Sequence, residues 1–186
     1  MAYADDLLQL AREIANLHPN EAHQSSLRRA LSTAYYALFH LLISEAVASC
    51  GDPQLRAVLS RMFDHGPMRK ASDAKISELA GFFKQRPPEG LEYTVKGHLY
   101  NVAETFSEAH YNRHEADYNL VREWQPTEVS LLIERVADAF NSWNVIRADR
   151  VARDYLISML PSREKKQPER APLDRRSNLT DVPKSS

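Results

Sequence analysis

A row of polar side chains crosses an otherwise apolar stretch of the sequence, residues 25–47. Its members are spaced four, three and four residues apart, so a helix would hold them within roughly 20–40° of one another. They are Arg29, Thr33, Tyr36 and His40. A guanidinium, a hydroxyl, a phenol and an imidazole can together bind an anion and transfer a proton. The row therefore forms either one wall of a functional site or a polar seam that hydrogen-bonds to neighbouring helices.

A second cation, Arg113, falls on the apolar row of a later helix. The preceding members of that row are spaced four, three, four and three residues apart: Val95, Leu99, Val102, Phe106 and Ala109. Because burying an unpaired charge is very costly, Arg113 either points into a solvated cleft or pairs with Asp117 or Glu115. In a functional site, Arg113 would bind a phosphate or a developing negative charge, Asp117 would orient it, and His40 would transfer a proton.

A metal site is a further interpretation of the same region. His110, His114 and Asp117 are separated by four and three residues, which puts them on one face of a continuous helix. Exposed histidine pairs also arise by chance, and the Glu-x-x-His pattern of di-iron bundles is absent from the sequence. We predict no metal and no other cofactor, and keep the metal site as an alternative.

Length, charge and composition limit the function classes. The chain has 186 residues, 43% of them hydrophobic, which suffices for one domain with a single core. A net charge of −1 gives no general attraction for nucleic acid. Cys50 is the single cysteine and glycines number five, so paired-cysteine zinc sites, phosphate-binding glycine loops and nucleophile elbows are excluded.

The same features indicate a compartment. A lone thiol suits a reducing environment, and Asp5 and Asp6 stand where a secretory leader would begin. The longest apolar run, residues 34–43, is interrupted by His40 and is shorter than the ~20 residues that a membrane span requires. We therefore expect a cytoplasmic protein without a membrane partner.

Helical periodicity recurs along the chain, and no strand-like alternation appears. Apolar spacing and capping signals predict five or six helices, approximately over residues 4–17, 21–49, 53–63, 72–83, 93–113 and 127–160. Asp52 and Pro53 are a strong start signal, and residues 64–67 predict a helix break. The expected fold is an all-α bundle over residues 1–160.

Residues 161–186 have a different composition. They contain seven basic and four acidic residues and few apolar ones, which predicts a disordered tail. A solvated tail and a weak contact with nucleic acid or another acidic surface are both compatible with this excess of positive charge.

Two stretches resemble the HEPN superfamily, a group of α-helical bundle domains. Residues 27–40, LRRALSTAYYALFH, are similar to the RRA-S-AYYA-FH helix of uncharacterised members, and residues 113–118, RHEADY, to their R-x-x-A-D-Y motif. A middle region of such proteins is matched by Arg61, Phe63, His65 and Met68. The resemblance covers approximately residues 5–160 and implies an up-and-down bundle with a four-helix core plus extra short helices.

The resemblance also implies a two-fold dimer with functional groups facing each other across a cleft. In ribonuclease members a histidine, which transfers protons near neutral pH, follows the arginine roughly four to six residues later. Here Arg113 matches the arginine, but Tyr118 stands five residues later and no histidine follows in that window. Tyrosine titrates at about 10, far from neutrality. His40 or His65 could approach Arg113 from another helix instead.

The resulting hypothesis is a HEPN-like, RNA-acting effector of a toxin or defence system, a metal-independent ribonuclease if it is an enzyme. Its candidate catalytic residues are Arg113, His40, Asp117 and Tyr118. Its candidate binding residues are Arg29, Tyr36 and His65. The main alternative is a non-catalytic module in which the same residues stabilise a homodimer or hold a partner protein. The expected partners are thus a second copy, and RNA or another protein.

Overall fold

The chain folds into a bundle of α-helices. A computed structural model describes residues 2–18, 21 and 23–161, which contain seven helices and no strand. The helices are α1 (Ala2–Ala15), α2 (Gln24–Ala48), α3 (Pro53–Ser60), α4 (His65–Gln85), α5 (Leu91–Tyr118), α6 (Pro126–Ile146) and α7 (Arg150–Ser158). The all-α prediction is confirmed, with more helices than the five or six expected. The predicted disordered tail lies outside the described residues from position 162 onward.

α2 is the central element of the bundle. It contacts α1, α3, α5, α6 and α7, and more than half of its residues are buried, as a helix that is apolar on most sides requires. Among the described residues, α2 is also the one helix long and apolar enough to cross a bilayer, although its longest unbroken apolar run is short. Since 72% of its most apolar window is buried inside the bundle, this is weak evidence for a membrane span.

The long helices that flank the candidate site are antiparallel. Ser32, near the start of α2, contacts Asp117 at the end of α5, whereas Tyr35, one turn further along α2, contacts His110 earlier in α5. Ion pairs and hydrogen bonds between α5 and α6 follow the same reversed order. The second half of α5 therefore lies beside the first half of α2.

The boundary between α3 and α4 differs from the prediction. α3 begins as predicted, with Pro53 in its first turn and the Asp52 side chain accepting a backbone hydrogen bond at 2.8 Å. The predicted break after α3 is present but lies at residues 61–64 and not at 64–67, because α4 begins at His65 and not at residue 72. Pro67 fits in the first turn, where backbone N–H groups have no partner within the helix. His65 therefore belongs to the N-terminus of α4.

Two other predicted boundaries are wrong. α5 does not end at Arg113 but continues to Tyr118, and the predicted last helix is divided into α6 and α7. The Asp149 side chain caps α7 by accepting a hydrogen bond from the Val151 N–H at 3.0 Å. The extension of α5 matters for the site, because it places Arg113 and the residue four positions later on adjacent turns of one helix.

Arg28 fixes the connection between α5 and α6. Its guanidinium donates hydrogen bonds to the backbone carbonyl oxygens of Ala116, Asn119 and Arg122, with a longer bond to that of Leu120. These bonds satisfy carbonyl groups that the end of a helix leaves without partners. One side chain of α2 thus holds the C-terminal end of α5 and the turn after it in place.

We expect Arg28→Met to lower the free energy of unfolding by about 2 kcal/mol, because charge-assisted bonds to several carbonyls are lost. The matched control is Arg29→Met, an exposed neighbour on the same helix, which should change it by less than about 0.5 kcal/mol. Urea denaturation measures both variants, and hydrogen exchange should rise first in residues 119–122. Equal destabilisation by the two substitutions would contradict this role of Arg28.

Candidate functional site

Arg113 lies on the core-facing row of α5, as the spacing predicts. Its side chain retains 17% of its full exposure, and its Nε lies 3.0 Å from Asp117 Oδ2. The other carboxylate oxygen of Asp117 accepts a hydrogen bond of 2.6 Å from Ser32 Oγ of α2. Of the alternatives that the sequence left open, pairing with Asp117 is therefore correct, whereas Glu115 accepts a hydrogen bond from Asn119.

Aromatic rings of α2 form the other side of the Arg113 environment. The guanidinium carbon lies 5.8 Å from the Tyr35 ring centroid and 5.7 Å from that of Tyr36, within the range of cation–π attraction. The buried Nε–H has no well-directed hydrogen bond, despite its short distance to Asp117. Attraction to a carboxylate and to two ring faces thus holds the cation, without a directed bond at Nε.

His65 comes to this site from the first turn of α4. Its Nδ1 lies 2.7 Å from Tyr35 Oη, and its ring packs on Phe39 with a centroid separation of 4.5 Å. Burial lowers the pKa of His65, the positive charge of Arg113 lowers it further, and Asp64 partly opposes both. His65 is therefore neutral near pH 7, with one ring nitrogen able to accept a proton.

His110 lies one turn before Arg113 on the same helix. Its ring meets that of Tyr35 edge-on at 5.6 Å, and its Nδ1 is shielded from solvent without a hydrogen-bond partner. Burial is the main cause that lowers the pKa of His110 to about 4, and the charges of Arg69 and Arg113 add to it. A polar nitrogen that is shielded from solvent without a partner costs stability, so His110 makes the folded state less stable than an apolar ring of similar shape would.

His40 lies one turn after Tyr36 on the polar row of α2 and is half-buried. Its ring stacks with Tyr36 at 6.2 Å and meets Tyr3 of α1 edge-on at 5.1 Å. Burial lowers the pKa of His40 and the nearby His65 lowers it further. His40 is thus electrostatically coupled to His65, which in turn is coupled to Arg113.

The remaining predicted residues lie at the edges of the site. Thr33 bonds back to the carbonyl oxygen of Arg29, whose side chain is exposed. Tyr118 is 66% exposed and packs against His114 at 4.9 Å, with no described contact to Arg113. The structure therefore brings together Arg113, Asp117, Tyr36 and His65, and it leaves Arg29 and Tyr118 outside that group.

Three members of the site were not assigned to it from the sequence alone. Ser32 and Tyr35 look like ordinary residues of a buried helix, and His110 was considered only as a metal ligand. Ser32 and Tyr35 face α5, and His110 faces α2. These positions can be recognised only once the two helices are packed against each other. We call the complete set the Arg113 cluster: Arg113, Asp117, Ser32, Tyr35, Tyr36, His65 and His110.

The metal interpretation finds no support in this geometry. Within the part of the chain that the structure describes, no group of three His, Cys, Asp or Glu side chains is placed to hold a metal ion. Asp117 is engaged by Arg113 and Ser32, and His114 packs on Tyr118. His110, His114 and Asp117 share one helical face, but their side chains contact different neighbours.

The chemistry available to the Arg113 cluster is that of anion binding and proton transfer. A guanidinium attracts phosphate or carboxylate groups, and a neutral imidazole accepts a proton. No family model, curated protein or solved structure matches this chain at a significant level. The HEPN resemblance therefore stays a prediction.

The histidines of the cluster should make stability depend on pH. A histidine whose pKa is lower in the folded state than in the unfolded state binds protons more tightly when the chain is unfolded. It therefore destabilises the fold as the pH falls from the pKa of the unfolded state, about 6.5, towards the pKa of the folded state. For His110, with a folded pKa of about 4, we expect a loss of about 2 kcal/mol over that interval, less than the full shift because the ring is partly exposed.

His110→Phe should flatten the dependence of the free energy of unfolding on pH between 6.5 and about 4. It should also leave stability at pH 8 unchanged or higher, since an unpartnered buried nitrogen is removed. Urea denaturation of both proteins across this range provides the test. Parallel pH profiles would show that His110 is not buried as described.

Proposed function

We propose that this chain acts on RNA without a metal ion and that the Arg113 cluster is its site. The observation that supports this most is the position of His65, whose Nδ1 contacts Tyr35 beside the Arg113 guanidinium. The sequence lacks the histidine that the resemblance places shortly after the arginine. In this proposal, His65 takes its place from a different helix.

The proposed reaction is attack of a ribose 2′ oxygen on the adjacent phosphorus. Neutral His65 accepts the proton of the 2′ hydroxyl while the bond from that oxygen to phosphorus forms and the bond to the 5′ oxygen breaks. Arg113 stabilises the negative charge on the phosphoryl oxygens. The departing 5′ oxygen takes a proton from water or from the protonated fraction of His40, which is small at neutral pH and grows as the pH falls, because the pKa of His40 is lowered.

Tyr35 is a positioning residue in this scheme. Burial raises the pKa of its phenol, which therefore stays protonated. When His65 Nδ1 carries its proton and donates it to Tyr35 Oη, Nε2 is free to act as the base; in the opposite tautomer Nε2 would be a donor. The bond to Tyr35 thus decides where the imidazole points, and the tautomer decides which role it can take.

Asp117 and Ser32 position Arg113 in the same scheme. Ser32 is 1% exposed, so its bond to Asp117 is sheltered from water and fixes the carboxylate against α2. Asp117 then holds the Nε side of the guanidinium. A guanidinium has five N–H donors, so one carboxylate at Nε leaves donors for a phosphate.

A second candidate function is the non-catalytic module that dimerises or binds another protein. The contact of Arg113 with Asp117, reinforced by Ser32, favours it, because a purely structural bridge between α5 and α2 would use the same pairing. The homodimer, the role in a toxin or defence system and the cytoplasmic location remain proposals that rest on the resemblance and on composition.

We expect the purified protein to cleave a single-stranded RNA in the presence of EDTA. Arg113→Ala and His65→Ala should each reduce the rate by about 100-fold or more, and His40→Ala by about tenfold. Tyr35→Phe, which keeps the ring but removes the hydroxyl, should lower the rate and shift its pH optimum. Matched controls are Arg86→Ala and His18→Ala, both exposed residues away from the cluster, which should retain full activity.

Circular dichroism of every variant separates loss of chemistry from loss of fold. The RNA-cleaving function would be refuted if Arg113→Ala and His40→Ala left the rate of cleavage unchanged. It would also be refuted if the control substitutions abolished cleavage to the same extent.

The module interpretation makes a different prediction. Light scattering should then give twice the 21.2 kDa mass of one chain, without RNA cleavage. Arg113→Ala should lower the free energy of unfolding by about 2 kcal/mol, because Asp117 loses its partner. A monomer whose stability is unaffected by this substitution would count against this function.

A further inference from the structure

α1 carries two apolar rows, of which only one is fully buried in the core. The inner row consists of Ala4, Leu8 and Ala11, all buried. The outer row is spaced four, three, four and three residues apart and continues into the turn after the helix: Tyr3, Leu7, Leu10, Ile14 and Leu17. We call this row the outer seam. Its spacing is that of the a and d positions of a coiled coil over two heptads.

The outer seam is largely open to solvent. Tyr3 is 61% exposed, Leu10 43% and Leu17 62%, while Leu7 and Ile14 between them are half-buried against the edge of the core. Scattered exposed leucines are ordinary, but a continuous apolar row at helical spacing is the surface on which an amphipathic helix packs.

A cavity of about 240 Å³ lies at the N-terminal end of the outer seam. Its wall is formed by Tyr3 from α1 and by His40, Ile43, Ser44 and Val47 from α2. The edge-on contact of Tyr3 with His40 joins the seam to this cavity. A volume of this size accommodates one large apolar side chain, as the anchor positions of helix-in-groove complexes require.

Charge distinguishes between the helices that could cover this surface. Asp6 and Glu13 each precede a seam residue and flank the row on its solvent side; both are exposed, and neither forms an ion pair with another described residue. A second α1 packed antiparallel on the seam would place Asp6 of one copy opposite Glu13 of the other, and such like-charge pairs are unfavourable. The flank instead matches lysine or arginine.

We propose that the outer seam of α1 and its adjoining cavity bind a basic amphipathic helix of another protein. The apolar stripe of that helix would pack on Leu7, Leu10 and Ile14, with one large side chain in the cavity beside Tyr3. Its basic flank would face Asp6 and Glu13. This inference does not rest on the Arg113 cluster, which is formed by α2, α4 and α5; His40, which lines the cavity, lies outside that cluster but is a proton-donor candidate in the proposed reaction.

Two synthetic peptides of about three heptads test the proposal, both with leucine at the a and d positions and with either lysine or glutamate at the flanking positions. The lysine peptide should bind the intact chain about tenfold or more tightly than the glutamate peptide, with a difference that shrinks at high salt. Isothermal titration calorimetry provides the affinities. Equal binding of the two peptides, or binding of neither, would overturn the proposal.

Substitutions in the chain then locate the site. Leu10→Asp should weaken binding of the lysine peptide by about tenfold or more. Its matched control is Leu91→Asp, a leucine 80% exposed in the first turn of α5, which should not change it. The double substitution Asp6→Lys and Glu13→Lys should reverse the preference in favour of the glutamate peptide.

Two results would overturn the assignment of site or occupant. Equal loss of binding with Leu91→Asp would mean that the peptide does not recognise the outer seam. If the chain alone is a dimer that Leu10→Asp converts to a monomer, the occupant is a second copy and not a basic partner helix.

Discussion

A guanidinium on the core-facing row of α5 is the constraint on which the candidate site depends. A charge in that position is tolerated only if the surroundings compensate for its partial removal from water. Compensation comes from Asp117 one turn later, from Ser32 across the helix interface, and from the faces of two tyrosines. The same contacts tie α5 to α2, so the electrostatic requirement of Arg113 and the packing of the bundle are satisfied together.

The cation also determines the state of the imidazoles around it. Partial burial disfavours the charged form of His65 and His110, and the positive charge of Arg113 acts in the same direction. A neutral imidazole can accept a proton, and a neighbouring guanidinium attracts anionic groups.

The turn after α5 is held by a second arginine in a different way. Arg28 forms hydrogen bonds with main-chain carbonyl groups and not with a carboxylate. The end of α5 is thereby fixed to α2 on the turn adjacent to Ser32. Asp117 lies between Ala116 and Asn119, whose carbonyl groups Arg28 binds, and its carboxylate is bound by Ser32. It therefore has little freedom to move away from Arg113. The geometry of the cluster thus depends on a residue that takes no part in it.

Spacing along one helix was sufficient to predict part of this protein. The all-α class, the central position of α2 and the cap at Asp52 follow from periodicity and local chemistry, which act within a few residues. For Arg113, spacing predicted the unusual position but left Asp117, Glu115 and a solvated cleft as alternatives, and the structure decided for Asp117. The start of α4 at His65 was missed, because proline is a break signal that a first turn can accommodate. The division between α6 and α7 was missed as well, since apolar periodicity runs across it.

Only the tertiary structure decided which residues of different helices meet. The contact of Tyr35 with His65, the bond from Ser32 to Asp117 and the exposure of the outer seam depend on how helices are rotated and placed against one another. A sequence specifies the angular positions of side chains around a single helix axis. Which residues of different helices come into contact depends on how all the helices pack together, and the spacing of residues along one helix does not specify it.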